Sequence, residues 1–250
     1  MQKSNILEIK NLKKNYHSKD IETLAVDNFS FNLKDGEFIA IVGPSGCGKS
    51  TILSILAGLE SKSDGEFVLG ENKKIGYMLQ QDSLFNWRTV LDNCLLGLEI
   101  NKNLNDKTKQ YVIELLNTYG LSDFINSYPN QLSGGMRQRV ALIRTLATNP
   151  DILLLDEPYS ALDYQTRLAV SDDVYSIIKK EKKSVIMVTH DIAEAISMAD
   201  KVIVLSKRPS KIKEIIDINL TDKSNPINNR KAKEFSYYYE MIWKAIDHHV

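Results

Sequence analysis

Residues 6–9 and 25–33 alternate apolar with polar side chains, the period of a strand with one buried face, and predict an antiparallel sheet covered on one side. Residues 38–42 (FIAIV), 152–155 (ILLL) and 185–188 (VIMV) do not alternate. Short unbroken apolar runs of this kind fit parallel strands buried on both faces. Over 50–59, 136–147 and 168–179 apolar residues recur every three or four positions, so the spacing predicts helices there. Strand and helix thus take turns, which predicts an α/β fold around a doubly wound parallel sheet. Residues 82–150 break that rhythm with an almost wholly helical pattern and are expected to form a second lobe. After strands at 202–205 and about 212–218, the polar stretch 221–233 reads as a linker to a last helix, together a C-terminal segment of about 221–250. In that helix Phe235, Tyr238, Tyr239, Ile242, Trp243 and Ile246 fall on one stripe, which predicts packing against its own domain.

Composition narrows the classes. A chain of 250 residues with 43% hydrophobic content can bury a substantial core, near the size at which cores begin to split. Its 32 basic and 32 acidic residues cancel, so no overall field selects nucleic acid or an acidic membrane surface. Any membrane contact must be local. The longest apolar runs fall far short of the ~20 residues that a spanning helix needs. The start, Met1-Gln2-Lys3-Ser4-Asn5, leads into a strand-like segment instead of an apolar export signal, so the chain is expected to stay in the cytoplasm. Cys47 and Cys94 stand far apart without metal-ligand spacing and read as two reduced thiols.

The strand ending at Val42 runs into Gly43-Pro44-Ser45-Gly46-Cys47-Gly48-Lys49-Ser50-Thr51, the G-x-x-x-x-G-K-[ST] phosphate loop in its strand-to-helix setting. Glycines let the backbone curl until successive N–H groups point at one anion, and the helix beginning near Lys49 adds the positive end of its dipole. Lys49 would neutralise β- and γ-phosphates, and the Ser50 hydroxyl would enter the shell of Mg²⁺. A carboxylate for that metal is expected at the end of a neighbouring buried strand, where Asp156 and Glu157 stand. In an extended strand consecutive side chains diverge. Asp156 would thus face the metal, and Glu157 the attacking water as general base.

The run Leu132-Ser133-Gly134-Gly135-Met136-Arg137-Gln138 resembles the signature motif of ATP-binding cassette (ABC) proteins, and the resemblance covers residues 5–217. It implies one α/β ABC ATPase domain over 1–250: a P-loop NTPase core, an antiparallel β subdomain and a helical subdomain carrying the signature motif. It also implies ATP and Mg²⁺ as cofactors, and a second copy of the chain facing the first head to tail. Ser133, Gly134 and Gly135 would then serve the γ-phosphate held by the other copy's phosphate loop. Tyr16 resembles the aromatic that stacks on adenine, and Gln80 the glutamine that links Mg²⁺ and the attacking water to a membrane partner. Ser160-Ala161-Leu162-Asp163 is similar to the loop through which one copy senses the other's site. His190, at the end of the strand 185–189, resembles the switch histidine that holds the γ-phosphate and positions Glu157.

Trp87, with Leu84 and Phe85, resembles the groove that receives a short helix from the membrane subunit, although Leu84 and Phe85 suit the lobe's own core equally well. Trp87, residues 156–163 with Arg167, and residues 205–209 are similar to importers of nitrate, sulfonates and taurine, a group that includes carriers of thiamine precursors. Asn86 replaces the proline common there, and Tyr159 the phenylalanine. The implied partners are membrane-spanning permease subunits and, indirectly, an extracytoplasmic solute-binding protein, with no nucleic acid, and the implied location is peripheral, at the cytoplasmic face of the membrane. A non-transport ATP-switched clamp is the alternative. Such clamps carry a long coiled-coil insertion or two cassettes in one chain, and this sequence has neither.

Overall fold

The computed structural model describes residues 4–18 and 21–246. Residues 1–3 of the start and 247–250 of the C-terminal segment lie outside the described residues. In chain order the strands are β1 (Asn5–Ser18), β2 (Ile21–Lys34), β3 (Phe38–Val42), β4 (Asp64–Leu69), β5 (Ile75–Met78), β6 (Ile152–Asp156), β7 (Ser184–Val188), β8 (Lys201–Leu205) and β9 (Ile212–Asp217). The α-helices are α1 (Lys49–Leu56), α2 (Val90–Ile100), α3 (Asp106–Thr118), α4 (Gly134–Ala147), α5 (Tyr164–Lys180), α6 (Ile192–Met198), α7 (Pro226–Asn229) and α8 (Phe235–Ile246).

Two sheets organise them. A three-stranded antiparallel sheet has the order β2-β1-β4, and a six-stranded sheet the order β5-β6-β7-β3-β8-β9. The six-stranded sheet is parallel except for β9, which pairs antiparallel with β8 at the edge. The unbroken apolar runs have a direct cause. In β3, Phe38, Ala40 and Val42 enter a core shared with the helical lobe, while Ile39 and Ile41 enter a second core built with β1, β2 and α1. Leu153 and Leu155 divide from Ile152 and Leu154 in the same way, as do Val185 and Met187 from Ile186 and Val188. Each of these strands serves two interiors, so neither face is free to be polar.

Helices α2, α3 and α4 fill the chain between β5 and β6, where the helical pattern predicted them. Asn105 starts α3 with a reciprocal cap, its side chain accepting from the Thr108 N–H while the Thr108 hydroxyl accepts from the Asn105 N–H.

Three sequence expectations need correction. The antiparallel strands run well beyond 6–9 and 25–33, because bulges in β1 let polar residues such as Lys14 and Asn15 continue the ladder. The stretch 221–233 is not a bare linker. It contains α7, and the buried Asn229 donates to the Ser197 carbonyl at 2.7 Å, stitching the segment to α6. The stripe on α8 is only partly covered. Ile242 is buried and Phe235, Tyr238 and Ile246 pack against the core, but Tyr239 and Trp243 stack on each other 38% and 52% exposed.

Candidate functional site

Between β3 and α1 the chain makes the turn that the glycines allow. Gly48 has φ +120°, and a Cβ there would lie 3.1 Å from Ser210 Oγ and 3.2 Å from the Ala25 carbonyl, so both the conformation and the space require glycine. The turn opens a hollow of about 230 Å³ lined by Ser45, Gly46 and Gly48, by Lys49, Ser50 and Thr51, and by Glu157 and Arg208. Lys49 is buried, and its ammonium donates to the Gly43 and Pro44 carbonyls at 2.9 and 3.0 Å. Cys47 points into the core and its N–H donates to the Pro44 carbonyl, so it builds the turn. Burial pushes its thiol up, and raises that of Cys94 to about 12, and both cysteines are free.

Across the hollow, Asp156 ends β6 as a buried carboxylate. Ser50 Oγ donates to its Oδ1 and the Tyr77 hydroxyl to its Oδ2, each at 3.0 Å. Burial pushes the Asp156 carboxyl above its ordinary range, against the opposing pull of these two hydrogen bonds. The Ser50 and Asp156 oxygens form a hard donor pair beside a phosphate cradle, which suits Mg²⁺ completing its shell with phosphate oxygens and water. Among the described residues no cluster of three or more His, Cys, Asp or Glu could hold a metal alone.

Glu157 lies past the strand with φ +43°, and its N–H donates to the Val188 carbonyl at 2.9 Å. The divergence of Asp156 and Glu157 therefore comes from a left-handed residue at the strand end, and not from the extended alternation that the sequence predicts. Glu157 Oε2 lies 3.1 Å from His190 Nδ1 and accepts from the Gln80 amide at 3.4 Å. Gln80 also reaches Ser160 Oγ at 3.4 Å. Two residues from distant parts of the chain, His190 and Gln80, thus converge on one carboxylate.

Tyr16 stands beside the start of α1, its hydroxyl donating to Thr51 Oγ1 at 3.4 Å. The Lys14 ammonium lies 4.8 Å from its ring centroid and is itself fixed by Glu60 at 2.7 Å. The ring is partly exposed, as a stacking platform must be.

Exposed Ser133 caps α4, accepting from the Met136 N–H at 3.3 Å. Gly135 permits close helix packing: a Cβ there would lie 2.7 Å from Val170 Cγ2. The hollow next to Gly134 is lined by Gln80, Asp82, Arg137 and Leu162 and shares no residue with the phosphate hollow. Within one chain Ser133, Gly134 and Gly135 do not line the phosphate hollow. Asp163 caps α5, and the hydrogen bond from Thr166 holds its carboxyl low.

Sequence reasoning missed Tyr77 and Arg208. Tyr77 sits on β5, too short a strand to declare itself by alternation. Arg208 donates from Nη2 to the Gly46 carbonyl at 2.7 Å, and its only signal was its place in the segment 205–209. On the surface, Leu84 is buried, while Phe85 stacks on Trp87 with ring centroids 4.8 Å apart and Trp87 is 74% exposed. Among the described residues no helix is long and apolar enough to cross a membrane.

Residues 26–160 match the family model described as ABC transporter. The chain is 43% identical over 248 residues to the uncharacterized ABC transporter ATP-binding protein YtlC of Bacillus subtilis (strain 168), covering 96% of this chain and 95% of that protein. It is 42% identical over 213 residues to the aliphatic sulfonates import ATP-binding protein SsuB of Bacillus cereus, covering 82% and 83%. Its fold is similar to the dimeric post-hydrolysis state of the ATP-binding cassette MJ0796 bound to ADP and Pi, with a TM-score of 0.73, 32% identity, and coverage of 85% of this chain and 99% of that one.

Proposed function

The chain belongs to the ABC transporter family, and from that premise we propose that it powers import of a small solute, most closely an aliphatic sulfonate, through permease subunits that it engages at the cytoplasmic face of the membrane. As an ABC ATPase it uses ATP and Mg²⁺ and works as a dimer with membrane permeases. The sulfonate assignment draws support from the likeness to SsuB. Taurine, nitrate and a thiamine precursor belong to the same class of cargo, delivered by an extracytoplasmic binding protein.

The observation that carries the catalytic reading is the convergence of His190 and Gln80 on Glu157, beside a hollow that also holds Lys49 and Ser50. In this reading the loop N–H groups and Lys49 hold the β- and γ-phosphates, and Tyr16 stacks on the adenine. Bound Mg²⁺ offsets charge on the transferring phosphoryl group. Ser50, Asp156 and Gln80 would hold its position. Glu157 takes the proton of the attacking water, and His190 orients that carboxylate. Ser133, Gly134 and Gly135 close over the partner copy's phosphates, with Asp163 near the junction. Because Ser133, Gly134 and Gly135 do not line the phosphate hollow of their own chain, a head-to-tail pair is what would bring motif and hollow together. The helical segment 82–150 then forms the subdomain that meets the permease, and 221–250 a C-terminal extension of the same domain.

Growth of the host on an aliphatic sulfonate as sole sulfur source tests the assignment. A chromosomal Lys49→Ala substitution should abolish that growth while leaving growth on sulfate intact. Normal growth of the variant on the sulfonate and on each of the other candidate solutes would remove the import reading, and loss of growth on taurine or nitrate alone would reassign the cargo.

A further inference from the structure

The turn between β8 and β9 carries a guanidinium that the roles above leave unused. The turn is held rigidly. Ser206 and Lys211 bond across its base, the Ser206 N–H donating to the Lys211 carbonyl and the Lys211 N–H to Ser206 Oγ, both at 2.9 Å. Fully buried Ser210 donates its N–H to the Ala25 carbonyl at 2.9 Å and accepts from the Asp27 N–H at 3.0 Å. The Lys211 ammonium pairs with Asp27 at 2.9 Å. These anchors hold the turn against β2, behind Gly48, so that Arg208 reaches the lip of the phosphate hollow.

There its Nη2 donates to the Gly46 carbonyl at 2.7 Å. A guanidinium has five N–H donors in a planar fork, a geometry that matches phosphate oxygens in pairs. Among the described residues no ion pair to a carboxylate engages this one. A cation with no carboxylate partner among the described residues, held beside Lys49 at an anion cradle, can do more than tie down one carbonyl.

We propose that Arg208 is a second phosphate-binding cation of the nucleotide site, contacting the phosphate chain of bound ATP and ADP, a role that stands only if the hollow holds nucleotide phosphate as read above. The competing role is a brace that holds the loop through Gly46 alone. Charge and hydrogen bonding separate the two. Citrulline in place of Arg208, installed by stop-codon suppression or semisynthesis, keeps the length and the N–H donor for the Gly46 carbonyl but removes the charge, whereas Arg208→Lys keeps the charge and loses the fork.

Affinities of the purified full chain for ATP, ADP and adenosine, by competition with a fluorescent ATP analogue, decide between them. A charge-assisted contact predicts that citrulline at position 208 weakens ATP and ADP about tenfold to hundredfold and leaves adenosine unchanged. Arg208→Lys should recover part of the loss, and the nucleotide-free melting temperature of both variants should match the parent. The citrulline protein binding ATP and ADP at parental strength, or losing adenosine to the same degree, would overturn the assignment in favour of the brace. Lys49→Ala in the same assay guards the underlying reading: undiminished ATP binding by that variant would overturn the phosphate site itself, and Arg208's role with it.

Discussion

Tyr77 donates its hydroxyl to Oδ2 of Asp156 over 3.0 Å, which leaves Oδ1 to Ser50. The tyrosine thereby fixes the rotation of the carboxylate proposed to hold Mg²⁺, three residues before Gln80 on the same stretch of chain. Tyr77→Phe removes one oxygen and leaves the packing intact. With a hydrogen bond of about 1 kcal/mol lost, half-saturating Mg²⁺ for ATP hydrolysis should rise severalfold, while Mg²⁺-free ATP binding stays parental. A Mg²⁺ titration of turnover and of nucleotide binding checks both halves, and equal losses with and without Mg²⁺ would make Tyr77 a packing residue only.

The double service of β3, β6 and β7 made the parallel core readable, because residues such as Ile39 and Ala40 must both be apolar when each enters a different interior. Lys49 and Ser133 were readable for another reason, since phosphate cradles need glycines at fixed offsets. What stayed hidden depends on conformation or on distance along the chain. Nothing in the residue type announces that Glu157 takes φ +43°. Tyr77 and Arg208 reach the site only because β5 pairs with β6 and the 206–211 turn packs on Ala25. The helix α7 was hidden in a polar stretch because its anchor, Asn229, is itself polar.

Behind the site, buried Glu194 accepts from Thr189 Oγ1 at 2.7 Å, and Arg167 stands 3.8 Å away. Burial raises its carboxyl to about 7 from 4.5, helped by Asp191 and opposed by Thr189, Arg167 and Arg230. The folded state therefore keeps a proton that the unfolded chain has released. Stability falls as pH rises from about 4.5 to about 7 and is flat above. The full span is worth on the order of 3 kcal/mol, of which on the order of 1 kcal/mol falls between pH 6 and pH 8. Urea unfolding at those two pH values should show this drop in the parent and a smaller one in Glu194→Gln, and identical slopes would assign the dependence to other groups.

Trp87 is 74% exposed and stacked on Phe85, so its removal should cost the isolated chain little. Trp87→Ala should keep parental basal ATPase activity and a melting temperature within a few degrees, yet lose solute uptake and stimulation by the permease, as an interface anchor would. Collapse of the fold would instead make the tryptophan part of the lobe's interior.

The separation of the Ser133 motif from the phosphate hollow predicts complementation between defective chains. In a head-to-tail pair of Ser133→Arg with Lys49→Ala, one site carries both lesions and the other neither. Each variant alone should be inactive, and an equal mixture should recover up to roughly a quarter of parental turnover if the sites act independently. A mixture as inactive as its components under conditions where the mixed dimer forms would argue against sites shared between copies or against their independence, and turnover by a monomer would exclude sharing outright.

The two neighbouring carboxylates should fail differently, because Asp156 faces Ser50 and Glu157 faces His190 and Gln80. Glu157→Gln keeps the size of the side chain and can still bond both neighbours, but it cannot accept a proton from water. Nucleotide binding in the ground state should survive, and hydrolysis should fall by the ~10²–10⁴-fold that a general base contributes. A dimer closed by ATP would then have no route to open and should accumulate. Asp156→Asn, by contrast, removes the negative charge that the Ser50 pair offers a cation and leaves Tyr77 opposite an amide, so productive Mg-ATP binding should weaken along with turnover. Size-exclusion chromatography in Mg-ATP, run beside phosphate release, distinguishes them: a stable dimer with arrested hydrolysis for Glu157→Gln, and no stable dimer for Asp156→Asn. If Glu157→Gln hydrolyses ATP at the parental rate, or remains monomeric with ATP bound, the base must be sought elsewhere in the hollow.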